Sequence, residues 1–174
     1  MVNKHEENMK RVLLDTSVYG KLIEEPQTVI EIARQVPSHL VIYGFRTVRN
    51  ELRETPPSLR FAGRSKRILL LNLYDSLMRN HDLTENKLIE TLARDYFKTY
   101  IIKGNIAESK LRNDFLIIAA ATIHHLDIVV SSDLHTMLSN NAIECYTQVN
   151  KKYGLPNPTF TPYENFKQTL RGLA

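Results

Sequence analysis

Three short apolar runs set the limits on what this chain can fold into. Residues 11–15 read Arg-Val-Leu-Leu-Asp, residues 39–44 read His-Leu-Val-Ile-Tyr-Gly, and residues 126–131 read Leu-Asp-Ile-Val-Val-Ser. Each is long enough for a buried strand and too short for a buried helix. Between them, apolar residues recur at three- and four-residue steps, as amphipathic helices require. The spacing predicts helix over Ser17–Val36, interrupted near Pro26, and over Thr47–Glu54, stopped by Pro56-Pro57. Further helices are expected over Ala62–Arg79, Thr84–Lys103 and Leu111–His124, with Gly104 and Asn105 separating the last two. A short helix follows Asp133, and Ala142–Tyr146 reads as a fourth strand. Thr161–Phe166 opens a closing helix, with a threonine cap and proline at its first position. Strands alternating with helices give an α/β fold, a parallel sheet covered on both faces.

A chain of 174 residues with 43% apolar and 24% charged residues fits one domain with a proper core. That domain is expected to span 1–174, with its core over about 11–146 and a C-terminal extension over 147–174 that begins with a proline-rich connector. The lone cysteine, Cys145, excludes an internal disulfide framework and a cysteine-based zinc site. No stretch reaches the roughly 18 apolar residues of a membrane span, and the charged first ten residues carry no signal core. The expected setting is cytoplasmic, with no membrane association.

The net charge of +4 is concentrated. Arg46, Arg49, Arg53, Arg60, Arg64, Lys66 and Arg67 are opposed within that span only by Glu51 and Glu54. Such a run serves either as the solvated faces of helices or as a surface that tracks a phosphate backbone, and charge alone does not choose. Arg49, Arg53 and Arg64 are the candidate nucleic-acid contacts.

Four carboxylates carry the chemical signal. Asp15 ends the first strand, Glu51 lies on the helix after the second, Asp114 falls in the first turn of the Leu111–His124 helix, and Asp133 follows the third strand. Taken singly, each has a structural explanation: a helix cap for Asp15 and Asp133, a solvated charge for Glu51, a favourable dipole for Asp114. Taken together, they attach to the carboxyl edge of a parallel sheet, where ligands of such sheets collect. Clustered carboxylates repel one another, and hard divalent cations with oxygen preference relieve that repulsion. Other chemistries lack their residues. A haloacid-dehalogenase-type phosphatase needs a second aspartate where Ser17 stands, and no Gly-rich phosphate loop is present. His124-His125 has no His-Glu-x-x-His context, Ser17 has no nucleophile elbow, and Cys145 reads as core.

At these residues the chain resembles the PIN-domain nucleases, in particular VapC-like prokaryotic ribonucleases. The matching pieces are Leu13-Leu14-Asp15-Thr16-Ser17-Val18, Thr47-Val48-Arg49-Asn50-Glu51-Leu52, Asp114-Phe115-Leu116-Ile117-Ile118-Ala119-Ala120-Ala121 and Val129-Val130-Ser131-Ser132-Asp133. The resemblance implies a three-layer α/β/α sandwich and an endoribonuclease dependent on one or two Mg²⁺ or Mn²⁺ ions. Asp15, Glu51, Asp114 and Asp133 would be its acidic quartet, Asp15 and Asp114 the principal metal ligands, with Thr16, Ser17 and Ser131 supporting them. Single-stranded RNA would be the substrate, a homodimer and an antitoxin protein the partners, and a toxin or RNA-processing role the context. Many relatives carry a further acidic residue after the fourth aspartate, whereas Leu134, His135 and Thr136 follow here. The alternative is a binding module that keeps the fold with weak or absent catalysis; metal-dependent cleavage separates the two.

Overall fold

The computed structural model describes residues 9–36, 38–101 and 108–172, the last segment without the side chains of 108–110. The first strand, β1 (Lys10–Leu14), runs into α1 (Thr16–Leu22) and α2 (Pro26–Gln35), the helix breaking before Pro26 as expected. Strand β2 (Leu40–Phe45) leads into α3 (Arg46–Glu54). A small hairpin, β3 (Arg60–Phe61) and β4 (Arg64–Ser65), precedes α4 (Lys66–Met78). Next come β5 (Asp82–Leu83), α5 (Lys87–Ile101), α6 (Glu108–Ile123), β6 (Ile128–Ser131), α7 (Asn140–Tyr153), β7 (Thr159–Pro162) and α8 (Tyr163–Gly172). Lys103, Gly104 and Asn105, placed by the sequence at a helix end and separator, lie outside the described residues.

Five strands form one parallel sheet in the order β5-β2-β1-β6-β7. Helix α2 packs on α8, α3 on α4 and α6, and α5 on α6 and α7, completing the three-layer α/β/α arrangement. The chain leaves β1 toward β2 and β5, then returns to lay β6 on the other side of β1. That reversal makes the carboxyl ends of β1 and β6 a topological switch point, where the two outgoing connections part and leave a crevice. Val12–Leu14, Val129 and Val130 are buried on both faces, which explains why their strands read as uninterrupted apolar runs. Helix α6 is buried all round from Phe115 to Ala121, so its alanines and isoleucines serve as core rather than as one stripe.

Four sequence expectations change. Ala142–Tyr146 is not a strand but part of α7: Ser139 Oγ accepts from the Ala142 amide, and Ala142, Cys145, Tyr146 and Val149 bury one helical face. The strand on that side of the sheet is β7, in the segment expected to be a connector and extension. Its residues Thr159–Pro162 pair with Ile128–Ser131, and Pro162 closes an edge strand where its missing amide costs nothing. Residues 147–172 therefore supply half of α7, an edge strand and α8, whose Phe166 and Leu170 are buried in the core. The helix predicted from Ala62 instead starts at Lys66, because Ala62 and Gly63 turn the β3–β4 hairpin with φ of +47° and +76°. The residues after Asp133 form turns rather than a helix.

Candidate active site

Asp15 sits at the tip of β1 and is 5% exposed. Its Oδ2 accepts from Ser17 Oγ at 2.6 Å and from Ser131 Oγ at 2.8 Å, while its backbone amide donates to the Val130 carbonyl on β6. Asp15 also caps α1, accepting from the Ser17 amide at 3.4 Å. The cap and the site position are thus the same carboxylate. Ser131, fully buried at the end of β6, receives the Asp133 amide at 3.0 Å, and Ser17 Oγ receives the Ser132 amide. These hydroxyls stitch the ends of β1 and β6 together across the crevice.

Glu51 reaches the same edge from α3. One of its oxygens accepts from Thr16 Oγ1 and the other from Asn113 Nδ2 at 2.8 Å, so α1, α3 and α6 meet at this side chain. One turn earlier on α3, buried Thr47 donates to Glu85, just beyond β5, at 2.6 Å. Asp114 lies in the second turn of α6, one turn later than the sequence suggested, because the helix begins at Glu108. Thr136 Oγ1 stands 3.4 Å from Asp114 Oδ2 and donates to Asp133 Oδ2. The amides of His135 and Thr136 donate to Asp133 Oδ1 at 3.0 and 2.9 Å.

The four carboxylates feel one another. Burial pushes the Asp114 pKa upward, and Asp15, Asp133 and Glu51 add to it in that order, raising it from 3.8 to about 7 against the pull of the Thr136 hydroxyl. Burial raises Asp133 too, but the Thr136 hydroxyl and the amides of Thr136 and His135 outweigh it and leave its pKa below the ordinary value. Among the described residues no lysine or arginine forms an ion pair with any of the four. As the side chains stand, no three metal-ligating groups among the described residues are gathered tightly enough to hold an ion. Each carboxylate rests instead on hydroxyl, amide or asparagine donors of its own element and its neighbours. The donor set is all oxygen, and burial together with the neighbouring acids raises the Asp114 pKa to about 7. Both features fit a hard divalent cation, which would relieve that repulsion.

The arginines divide. Arg49 is committed to Asp75 on α4 through two hydrogen bonds of 3.0 and 3.1 Å, a bidentate pair that leaves its guanidinium little capacity for a phosphate. Arg67 donates to the Thr55 carbonyl and ties α4 to the end of α3. Arg53 and Arg64 are exposed, Arg53 on α3 and Arg64 on the hairpin, where it borders an apolar groove between α2 and α4. Asn113 and Thr136 belong to the site although the sequence reading omitted them. The signal for Asn113 was its place beside Asp114; Thr136 offered none beyond a hydroxyl three residues after Asp133.

A chain in the structure of VapBC-1 from nontypeable Haemophilus influenzae superposes with a TM-score of 0.56 at 14% identity, covering 88% of this chain and 98% of that one. A chain in the structure of VapBC2 from Rickettsia felis, bound to a DNA fragment from their promoter, gives 0.58 at 14% identity with the same coverage. FitAcB from Neisseria gonorrhoeae gives 0.52 at 19% identity, covering 86% and 96%. The chain has the α/β/α fold of the VapC-like PIN domains, as the motifs implied. No family model and no curated protein sequence matches it.

Proposed function

We propose that this protein is a divalent-metal-dependent endoribonuclease acting at the crevice between the ends of β1 and β6. The observation that carries the reading is the convergence of four acidic side chains from four separate parts of the chain, the end of β1, α3, α6 and the turn after β6, where burial first and then Asp15, Asp133 and Glu51 raise the Asp114 pKa to about 7. Such an arrangement is costly to a protein that has no use for a cation there.

Asp15 and Asp114 would hold the ion, since each keeps an oxygen, Oδ1, that accepts no hydrogen bond among the described residues. Glu51 and Asp133 have both oxygens engaged and would complete the site through water or by rotating off their donors. Bound there, Mg²⁺ or Mn²⁺ supplies a water activated for attack and neutralises charge on the departing oxygen. Ser17 and Ser131 fix Asp15, while Thr16 and Asn113 fix Glu51. The hydrolysis forms a bond from water oxygen to phosphorus and breaks the bond to O3′, giving a 5′-phosphate and a 3′-hydroxyl. Arg53 and Arg64 would contact the RNA backbone; Arg49, sequestered by Asp75, would contribute charge rather than a direct bond. Because the structural neighbours come from VapBC and FitAB complexes, an antitoxin is the proposed protein partner, a homodimer the proposed assembly and the cytoplasm the proposed setting. Among the described residues no helix is long and apolar enough to cross a membrane.

The test is cleavage of a labelled single-stranded RNA with Mg²⁺ or Mn²⁺. EDTA, Asp15→Asn and Asp114→Asn should each abolish it with the fold intact by circular dichroism. RNA that is retained in a gel shift but uncut with either metal would replace this reading with a binding module. Cutting by either variant at the wild-type rate would move the chemistry elsewhere.

A further inference from the structure

A second polar site lies on the far side of α6. A cavity of about 260 Å³ opens between α5 and α6. Its mouth carries Arg94 and Arg112, both exposed and neither paired with a carboxylate among the described residues. Its floor is apolar, made by Ala93 and Phe115, which are 6% and 1% exposed, with Phe97 at its side. The remaining charge is Glu90, one turn before Arg94 on α5. Two guanidiniums against one carboxylate leave the hollow with a net positive charge. At about 100° per helical residue, Arg112 and Asp114 project from α6 about 200° apart, so this hollow and the acidic crevice face opposite ways.

We propose that this cavity binds the phosphate of a nucleotide, with Arg94 and Arg112 as a two-sided clamp. Guanidiniums bind phosphate oxygens through paired N–H donors, and their planar heads lie well over flat rings. The small alanine leaves room between the helices, and the Phe97–Phe115 floor offers an apolar surface to a ribose or base edge. The volume falls just under the range of about 300–1,000 Å³ usual for small-molecule pockets, which suits one nucleotide unit. The phosphate has two sources, a free mononucleotide or one unit of an RNA strand passing over the surface. The inference does not rest on the proposed cleavage, because it uses none of the acidic residues.

The experiment is calorimetric titration of the full-length protein in EDTA, where the acidic crevice repels phosphates and does not contribute. The probes are adenosine 5′-monophosphate, adenosine, and a short oligoribonucleotide. We expect the monophosphate or the oligonucleotide to bind and adenosine not to. Arg94→Ala with Arg112→Ala should weaken binding at least tenfold, Glu90→Gln should tighten it several-fold, and Asp15→Asn should leave it unchanged. Binding of the monophosphate points to a free nucleotide, and binding of the oligonucleotide alone points to an RNA track. The proposal is overturned if neither phosphate probe binds, or if binding is indifferent to both arginines. A change in molecular mass of the double arginine variant on size-exclusion chromatography also overturns it, reassigning the surface to a contact between copies. Since both arginines are exposed, their loss should not impair folding, and the circular dichroism of each variant checks this.

Discussion

Asp114 offers a stability measurement that is independent of any nuclease assay. In the folded chain its carboxyl keeps its proton up to about pH 7, whereas unfolded it ionises near 3.8. The folded state therefore binds more protons between those values, and stability must fall as pH rises through that window. Below 3.8 the group carries no penalty; above 7 it carries all of it. At about 1.4 kcal/mol per unit, the rise to about 7 caps the penalty at about 4 kcal/mol. Partial exposure and relaxation of the Thr136 side chain reduce it, so roughly 2 kcal/mol is the expected observable. Asp114→Asn removes the ionisation. In EDTA, urea unfolding at pH 5, 6, 7 and 8 should show the variant gaining on the wild type by roughly 2 kcal/mol across the series. Asp133, whose pKa is lowered, gives stability present above its unfolded pKa and lost only in more acidic solution, outside this window. Adding Mn²⁺ at pH 8 should stabilise the wild type and close the gap, because the cation replaces the repulsion with attraction. A difference between the two proteins that stays within about 0.5 kcal/mol from pH 5 to 8 would refute the electrostatic coupling on which the site rests.

Other expectations follow from the same geometry. Asn113→Ala frees one Glu51 oxygen and should lower the cleavage rate without altering the melting temperature by more than a degree or two; an unchanged rate would make Asn113 a spectator. Gly44→Ala would place a Cβ 2.4 Å from the Tyr74 hydroxyl and 2.9 Å from its ring, beneath a buried tyrosine that also contacts Asp82 and the Phe45 carbonyl. A loss of about 1–3 kcal/mol in urea unfolding is expected, and a neutral result would mean the β2–α4 packing yields easily. Ala62 holds a left-handed φ of +47° in the hairpin turn, so Ala62→Asn should stabilise by about 0.5–1 kcal/mol, read as a rise in the unfolding midpoint.

How much of this was visible in the sequence depended on how many neighbours each element has. Strands β1, β2 and β6 are the central strands of the sheet, flanked on both sides by other strands and covered by helices, and their apolar runs carried a plain signal. Helix α6 was equally legible because seven successive residues, Phe115–Ala121, are buried. Edge elements were not. Strand β7 has one strand neighbour and reads Thr-Phe-Thr-Pro, which is indistinguishable from a connector until β6 is seen beside it. The Ala142–Tyr146 stretch misled because a five-residue window, little more than one helical turn, is too short to separate a strand from a helix. The deciding pattern continues to Val149 and ends at Gly154, whose φ of +65° terminates α7. The hairpin at Ala62 escaped because alanine is a poor marker of a left-handed turn.

The site was legible to a different degree and for a different reason. Asp15 and Asp133 could be placed at one edge because strand direction and sheet order fix where strand ends point, whatever the side chains do. Glu51 and Asp114 needed helices to bring them there, and the three- and four-residue apolar steps fixed which faces were buried but not how far each helix reached. The start of α6 at Glu108 rather than Leu111 moved Asp114 from the first helical turn to the second, where it lies half-buried among like charges. That displacement converts an ordinary helix-dipole aspartate into the most perturbed carboxyl of the site, because depth removes the water that would screen three neighbouring acids. Asn113 and Thr136 then become intelligible: repelling carboxylates without a cation must be held apart by neutral donors, and short polar side chains beside them are the groups within reach. The acidic quartet sets the demand, and the residues that meet it are recognisable only once the distances are known.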